Sequence, residues 1–176
     1  MNFYWIIIFS AVLTGLAQQP LGLGWIAWFS LIPLIICIQN ICTFKDHLKI
    51  GFIWGFFYNL TILYWIVQNL GTNLIVGIIS MFSAVTFFSL NTVIVMIIYF
   101  ILKLKLKQLA YLLIPFIWVS VEYIRSLGPL ANPWISLANT QIDFLTLIQN
   151  VEFTGIYGIT FWIVFINLLG SEWYLN

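Results

Sequence analysis

Residues 74–102 run for 29 positions without a single Asp, Glu, Lys, Arg or His. As a helix rising 1.5 Å per residue they reach about 43 Å, more than the roughly 30 Å of a bilayer's hydrocarbon core. In water such a stretch would need burial on every side, and the rest of the chain cannot supply the cover. Apolar residues make up 63% of it and charged residues 6%, where a soluble domain carries about 25% charged residues. The solvent that fits is lipid.

Five more apolar runs follow the same logic, giving six candidate spans near residues 3–17, 21–42, 50–67, 74–102, 108–124 and 153–170. The first is short and the fourth long, a mismatch absorbed by tilt and by snorkelling of flanking groups. Gly15-Leu16-Ala17 has the small-x-small form of a cleavage site, but no Lys or Arg precedes the first run, so it reads as a span and not as a signal peptide. The expected fold is an all-α integral membrane protein: one membrane domain over residues 1–176, a bundle of about six transmembrane helices with an amphipathic segment at the outer interface. Gly51 and Gly55 form a small-xxx-small pair, which either seats another helix closely or merely reflects how common glycine is in membrane helices.

Charge sets the expected orientation. All five lysines fall in two short connections, Lys45 and Lys49 after the second run and Lys103, Lys105 and Lys107 after the fourth. Two runs separate these connections, so both face one side, cytoplasmic by the positive-inside rule, and the amino terminus lies there too. Arg125 stands alone at the outer end of the fifth run, with Glu122 three residues before it on the same helical face. A net charge of +1 offers no basic field to nucleic acid.

Residues 127–152 break the spanning pattern. They hold Pro129, Pro133, Asn132, Asn139, Gln141, Asp143, Gln149 and Asn150 among Ile, Leu, Phe and Trp. Irregular backbone is not tolerated against lipid, so this segment lies at the outer interface or lines a wetted cavity walled by protein. Glu122 and Arg125 lead directly into it. Either they neutralise one another and anchor the helix end, or they flank a polar cavity where a lipid headgroup or substrate sits.

Catalytic machinery is not visible. One histidine and two cysteines make no metal cluster or disulfide framework, and no cofactor motif occurs. Cys42 and His47 are off one another's helical face, a poor nucleophile–base pair. Asp46 reads as a solvated loop charge.

Several motifs fall in an informative order. Gly15-Leu16-Ala17 to Pro20 and Trp25 to Pro33-Leu34 come first, then Gly51-Phe52-Ile53-Trp54-Gly55-Phe56 with Tyr64-Trp65. Pro115-Phe116-Ile117-Trp118 with Glu122-Tyr123-Ile124-Arg125 leads to Asn132-Pro133-Trp134, to Asn139-Thr140-Gln141, and to Gly155-Ile156-Tyr157-Gly158-Ile159-Thr160-Phe161. In this order they resemble the amino-terminal membrane region of the apolipoprotein N-acyltransferase family, over essentially the whole chain. Asn132 departs from the aromatic residue usual before Pro-Trp.

The resemblance implies ping-pong acyl transfer, from a membrane phospholipid to an enzyme cysteine and then to the α-amino group of a lipoprotein's diacylglyceryl-cysteine. It also implies that the Glu-Lys-Cys chemistry resides in a nitrilase-like domain beyond this region, in cis or in trans, for which Cys37 and Cys42 are no substitute. The expectation is therefore the membrane module of such an enzyme, inactive alone, in the bacterial inner membrane, with no catalytic residue or cofactor of its own. Glu122, Arg125, Pro133, Trp134, Asn139, Gln141 and Tyr157 are its candidate substrate- or lipid-facing residues. The competing reading is a small transporter, channel subunit or scaffold. Asn59, Thr61, Ser80, Ser83, Thr86, Ser89, Asn91 and Thr92 would then be its polar lining.

Overall fold

The computed structural model describes residues 3–68, 71, 73–128 and 131–175. Pro129 and part of the connection over 68–73 lie outside them. Among the described residues every regular element is helical.

Helix α1 (Phe3–Ala17) covers the first apolar run. The second run is broken. A 3-10 turn at Gly24–Ile26 leads into α2 (Ala27–Ser30), and α3 (Ile32–Asn40) starts beyond Leu31. Pro33 lies in the first turn of α3, where its missing N–H and fixed ring favour a fresh start over continuation. The break exposes backbone groups inside an apolar environment, and Asn167, from the far end of the chain, satisfies them. Its Oδ1 accepts from Leu31 N and Ile32 N (2.9 and 3.1 Å), and its Nδ2 donates to the Ala27 and Ile163 carbonyls (both 2.8 Å).

Helix α4 (Phe44–Leu63) begins six residues ahead of the apolar run at Ile50. Thr43 caps it, accepting from Asp46 N (3.1 Å) while its hydroxyl donates to Asp46 Oδ2 (2.5 Å). Asp46 is thus a first-turn partner of the cap and not a loop charge. His47 is fully buried, its Nδ1 2.8 Å from the Thr43 carbonyl and its ring against Tyr99 and Phe100.

Asn73 caps α5 (Leu74–Leu106), accepting from Val76 N. This helix overshoots the hydrocarbon thickness, and Lys103 near its end reaches back to α3, donating to the carbonyls of Ile38, Gln39 and Ile41 (2.8–3.2 Å). These are among the carbonyls that a helix end leaves without an internal partner. The fifth run divides into α6 (Leu109–Leu112) and α7 (Ile114–Arg125), parted at Leu113 ahead of Pro115. Past the irregular stretch come α8 (Leu145–Ile148) and α9 (Val151–Leu175), the latter kinked where Gly155 takes φ +65°.

Among the described residues, three helices are long and apolar enough to cross a membrane: Phe44–Gln68 (α4 with its closing 3-10 turn), Leu74–Leu106 and Val151–Leu175. Phe3–Ala17 and Gly24–Asn40 are apolar but shorter. The glycine pair has a packing role. A Cβ on Gly55 would lie 3.0 Å from Ser89 Cα, and one on Gly51 would lie 3.1 Å from Val93 Cα, so α4 and α5 meet almost backbone to backbone. Inside, Ser10, Thr14, Ser30 and the Trp54 indole N–H form a buried hydrogen-bonded cluster joining α1, α2 and α4. The outward face of α5 carries exposed Ile75, Ile79, Phe82, Phe87, Leu90 and Ile94, a surface suited to lipid.

Candidate functional site

Away from the lysine-bearing end, residues 131–150 fold as a chain of tight turns. Asn132 accepts from Trp134 N (3.2 Å), which starts the 3-10 turn Pro133–Ile135. Asn139 donates to the Pro133 and Trp134 carbonyls (3.1 and 2.8 Å). Asn competes well for nearby backbone groups, so these turns hold without a helix or sheet ladder.

The bundle supplies the remaining partners. Gln18, just past α1, donates to the Trp134 and Ser136 carbonyls (3.0 and 2.9 Å) and accepts from the Tyr58 hydroxyl (2.7 Å). Gln141 donates to the Gly24 carbonyl (2.8 Å) and accepts from the Trp28 indole N–H (3.0 Å). A Cβ at Gly24 would collide with the Thr140 carbonyl oxygen, so the turn segment presses directly on the start of the second run.

At the centre is Glu122, 5% exposed. Its Oε2 accepts from the hydroxyls of Ser136 (2.7 Å) and Thr160 (2.9 Å). Its Oε1 accepts from Leu137 N (3.0 Å) and, at greater length, from Trp118 Nε1 (3.3 Å). Thr160 in turn accepts from Ala138 N (3.2 Å). One carboxylate thereby ties α7 to the turn segment and to α9.

Arg125 is placed differently. Its Nη2 is 3.9 Å from Glu122 Oε1, an oxygen that already accepts two N–H groups, so the pair is neither close nor bidentate. The residue borders two spaces. One is a narrow, partly open cavity of about 20 Å³ between α4, α5 and α7. The other is an open recess of about 240 Å³ on the outer flank of α5, lined by Phe87, Leu90, Asn91, Ile94, Arg125 and Leu127. A cation beside apolar side chains that are themselves exposed suits a headgroup phosphate with an acyl chain along the helix.

The other candidates divide by exposure. Trp134 is 80% exposed on the turn segment and Pro133 is exposed next to it, and Ile142, Leu145 and Phe153 are exposed apolar residues further along. Asn139 is a turn brace and Gln141, fully buried, a tether. Tyr157 donates to Ser126 Oγ (2.7 Å) and sets its ring edge-on to Tyr123. Gln18, Tyr58, Ser136 and Thr160 were not among the sequence candidates. Their signal is faint, since single polar residues in apolar helices reveal their partners only once the helices are placed.

The polar residues proposed for a transport path divide: Asn59, Asn91 and Thr92 border the small cavity beside Arg125, and the others lie elsewhere. Ser80, Ser83 and Thr86 face outward on α5, and the Ser89 hydroxyl and Thr61 hydroxyl return to carbonyls of their own helices.

Comparison with known proteins adds an independent line. Residues 10–169 match the family described as Apolipoprotein N-acyltransferase N-terminal domain. The apolipoprotein N-acyltransferase of Geobacter metallireducens is 31% identical over 94% of this chain and 32% of its own length. That of Thermotoga maritima is 26% identical, covering 94% of this chain and 34% of its own length. That of Chlorobaculum tepidum is 24% identical, covering 82% and 26%. The chain thus spans about a third or less of each of these relatives.

Proposed function

Since this chain belongs to the apolipoprotein N-acyltransferase family, through that family's N-terminal domain, we propose that it is the membrane module for acyl transfer from a phospholipid to the amino-terminal diacylglyceryl-cysteine of a lipoprotein. The catalytic Glu, Lys and Cys belong, on this reading, to a nitrilase-like domain acting in cis or in trans. The module holds that domain at the outer face of the bacterial inner membrane and admits the two lipidated substrates from the side. Its amino terminus faces the cytoplasm, a reading that the lysine distribution supports.

The observation that carries this reading is the pairing of a bundle-tied turn segment, with exposed Trp134, and a cation at Arg125 whose contact with Glu122 is long. Arg125 engages the phospholipid phosphate in the recess beside Phe87 and Leu90, and Pro133 and Trp134 border the entry of the acyl chains.

The test is acyl transfer to a diacylated lipopeptide, followed by the mass gain of one acyl chain. Residues 1–176 in vesicles are expected to give no transfer. The same chain joined to or mixed with the family's catalytic region is expected to give transfer, reduced at least about tenfold in kcat/KM by Arg125→Ala through loss of a charge-assisted hydrogen bond. Transfer by residues 1–176 alone, or full activity of Arg125→Ala, would refute the corresponding part.

A further inference from the structure

Two buried polar atoms near the site lack a counterpart. Asn59, 2% exposed, donates its Nδ2 to the Gly55 carbonyl (2.7 Å) within α4, while its Oδ1 has no hydrogen-bond partner among the described residues. Arg125 Nε is buried and likewise has none among them. Buried polar atoms in folded proteins are nearly always satisfied, so two together call for an explanation.

Both residues line the same narrow, partly open cavity, about 20 Å³, which Asn91, Thr92 and Glu122 also border. Chemistry narrows what fits there. An amide oxygen only accepts and the guanidinium Nε–H only donates, so the bridging species must do both. A single water needs about 10–15 Å³ by the same kind of measure and two to four polar partners. The cavity meets both conditions and is too small for a lipid headgroup or a hydrated ion.

We propose that one ordered water binds between α4 and α7, accepting from Arg125 Nε and donating to Asn59 Oδ1, and that Asn59 is thereby a positioning residue for Arg125. With Nε held from the inside, the Nη groups are presented toward the recess on the flank of α5. Only this last step rests on the phospholipid role proposed for Arg125; the water site does not.

The test uses arginine labelled with ¹⁵N at Nε, in the chain together with its catalytic region in lipid nanodiscs. Arg125 is the one arginine among these 176 residues, and its signal is assigned by its disappearance in Arg125→Lys. The Arg125 Hε proton is expected to show a cross-peak to a long-lived water, lost in Asn59→Leu, which fills the cavity and removes the acceptor. Asn59→Leu is further expected to raise KM for the phospholipid donor about five- to tenfold with kcat within about twofold, the size of one lost hydrogen bond. Asn59→Asp, which restores an acceptor, is expected to bring KM back. No water cross-peak in the parent protein, or one unchanged in Asn59→Leu, overturns the water site. A cross-peak lost in Asn59→Leu with KM unchanged keeps the water site and overturns the positioning role of Asn59, while Arg125→Ala separately decides the phospholipid role of Arg125. Should Asn59→Leu fail to fold, the parent cross-peak and Asn59→Asp still decide.

Discussion

A carboxylate that accepts from two hydroxyls, a backbone N–H and an indole has little capacity left for a substrate, so substitution at Glu122 should read out in stability. Glu122→Ala leaves those donors buried without an acceptor, at an expected cost on the order of 2–4 kcal/mol. Unfolding from mixed micelles by added denaturing detergent measures it, and a loss below the scatter of replicate unfolding curves would mean that the donors find other partners. At this scale the sequence was half legible. Two charges three residues apart in an apolar run already mark a special place, because a charge in lipid needs a partner. That Glu122 is a tether while the Arg125 guanidinium stands 3.9 Å from it is not legible, since Ser136, Leu137 and Thr160 reach the carboxylate only after three elements have met.

Among helices, the apolar runs place the elements well because lipid leaves the backbone no alternative to helix. Their ends are less legible. Helix α4 starts at Phe44 because Thr43 and Asp46 make a cap, a local signal that outweighs the polarity of Lys45, His47 and Lys49. The interruption at Leu31 follows from Pro33, yet its repair by Asn167 depends on a contact 136 positions away. The close seating of α4 on α5 allows a direct prediction. Gly55→Leu drives a side chain into the Ser89 backbone and is expected to cost about 1–3 kcal/mol through forced separation of the helices. Gly22→Ala is a poor control, being itself at φ +66°. Ser83→Ala, on the exposed face of α5, is the better one and should change nothing measurable in the same unfolding assay.

Over the whole molecule, the lysines and the tied turn segment occupy opposite ends, and the two ends are built differently. At the first, Lys103 closes the end of α3. At the second, Gln18, Tyr58, Glu122 and Thr160 converge on residues 134–138. The expected topology is tested by placing a single cysteine at position 134 or at position 45 in a chain with Cys37 and Cys42 replaced. A membrane-impermeant maleimide added to intact spheroplasts should label position 134 and spare position 45. The reverse pattern would invert the proposed orientation. The family resemblance extends over this whole arrangement because its motifs lie where the ends are knit together: Trp118, Glu122, Pro133, Trp134 and Thr160 all belong to the tied end.

The ties on residues 134–138 also bear on how the chain is made. Their partners come from Gln18 just past α1 and from α4, α7 and α9, so helices made early and late within these 176 residues hold the same few positions. Until α9 has entered the bilayer, Glu122 lacks the Thr160 hydroxyl, and Leu31 N and Ile32 N lack Asn167. Assembly is therefore expected to finish late and in one step, with nascent chains arrested before Val151 cut readily by protease near Trp134 and chains arrested past Ser171 resistant there.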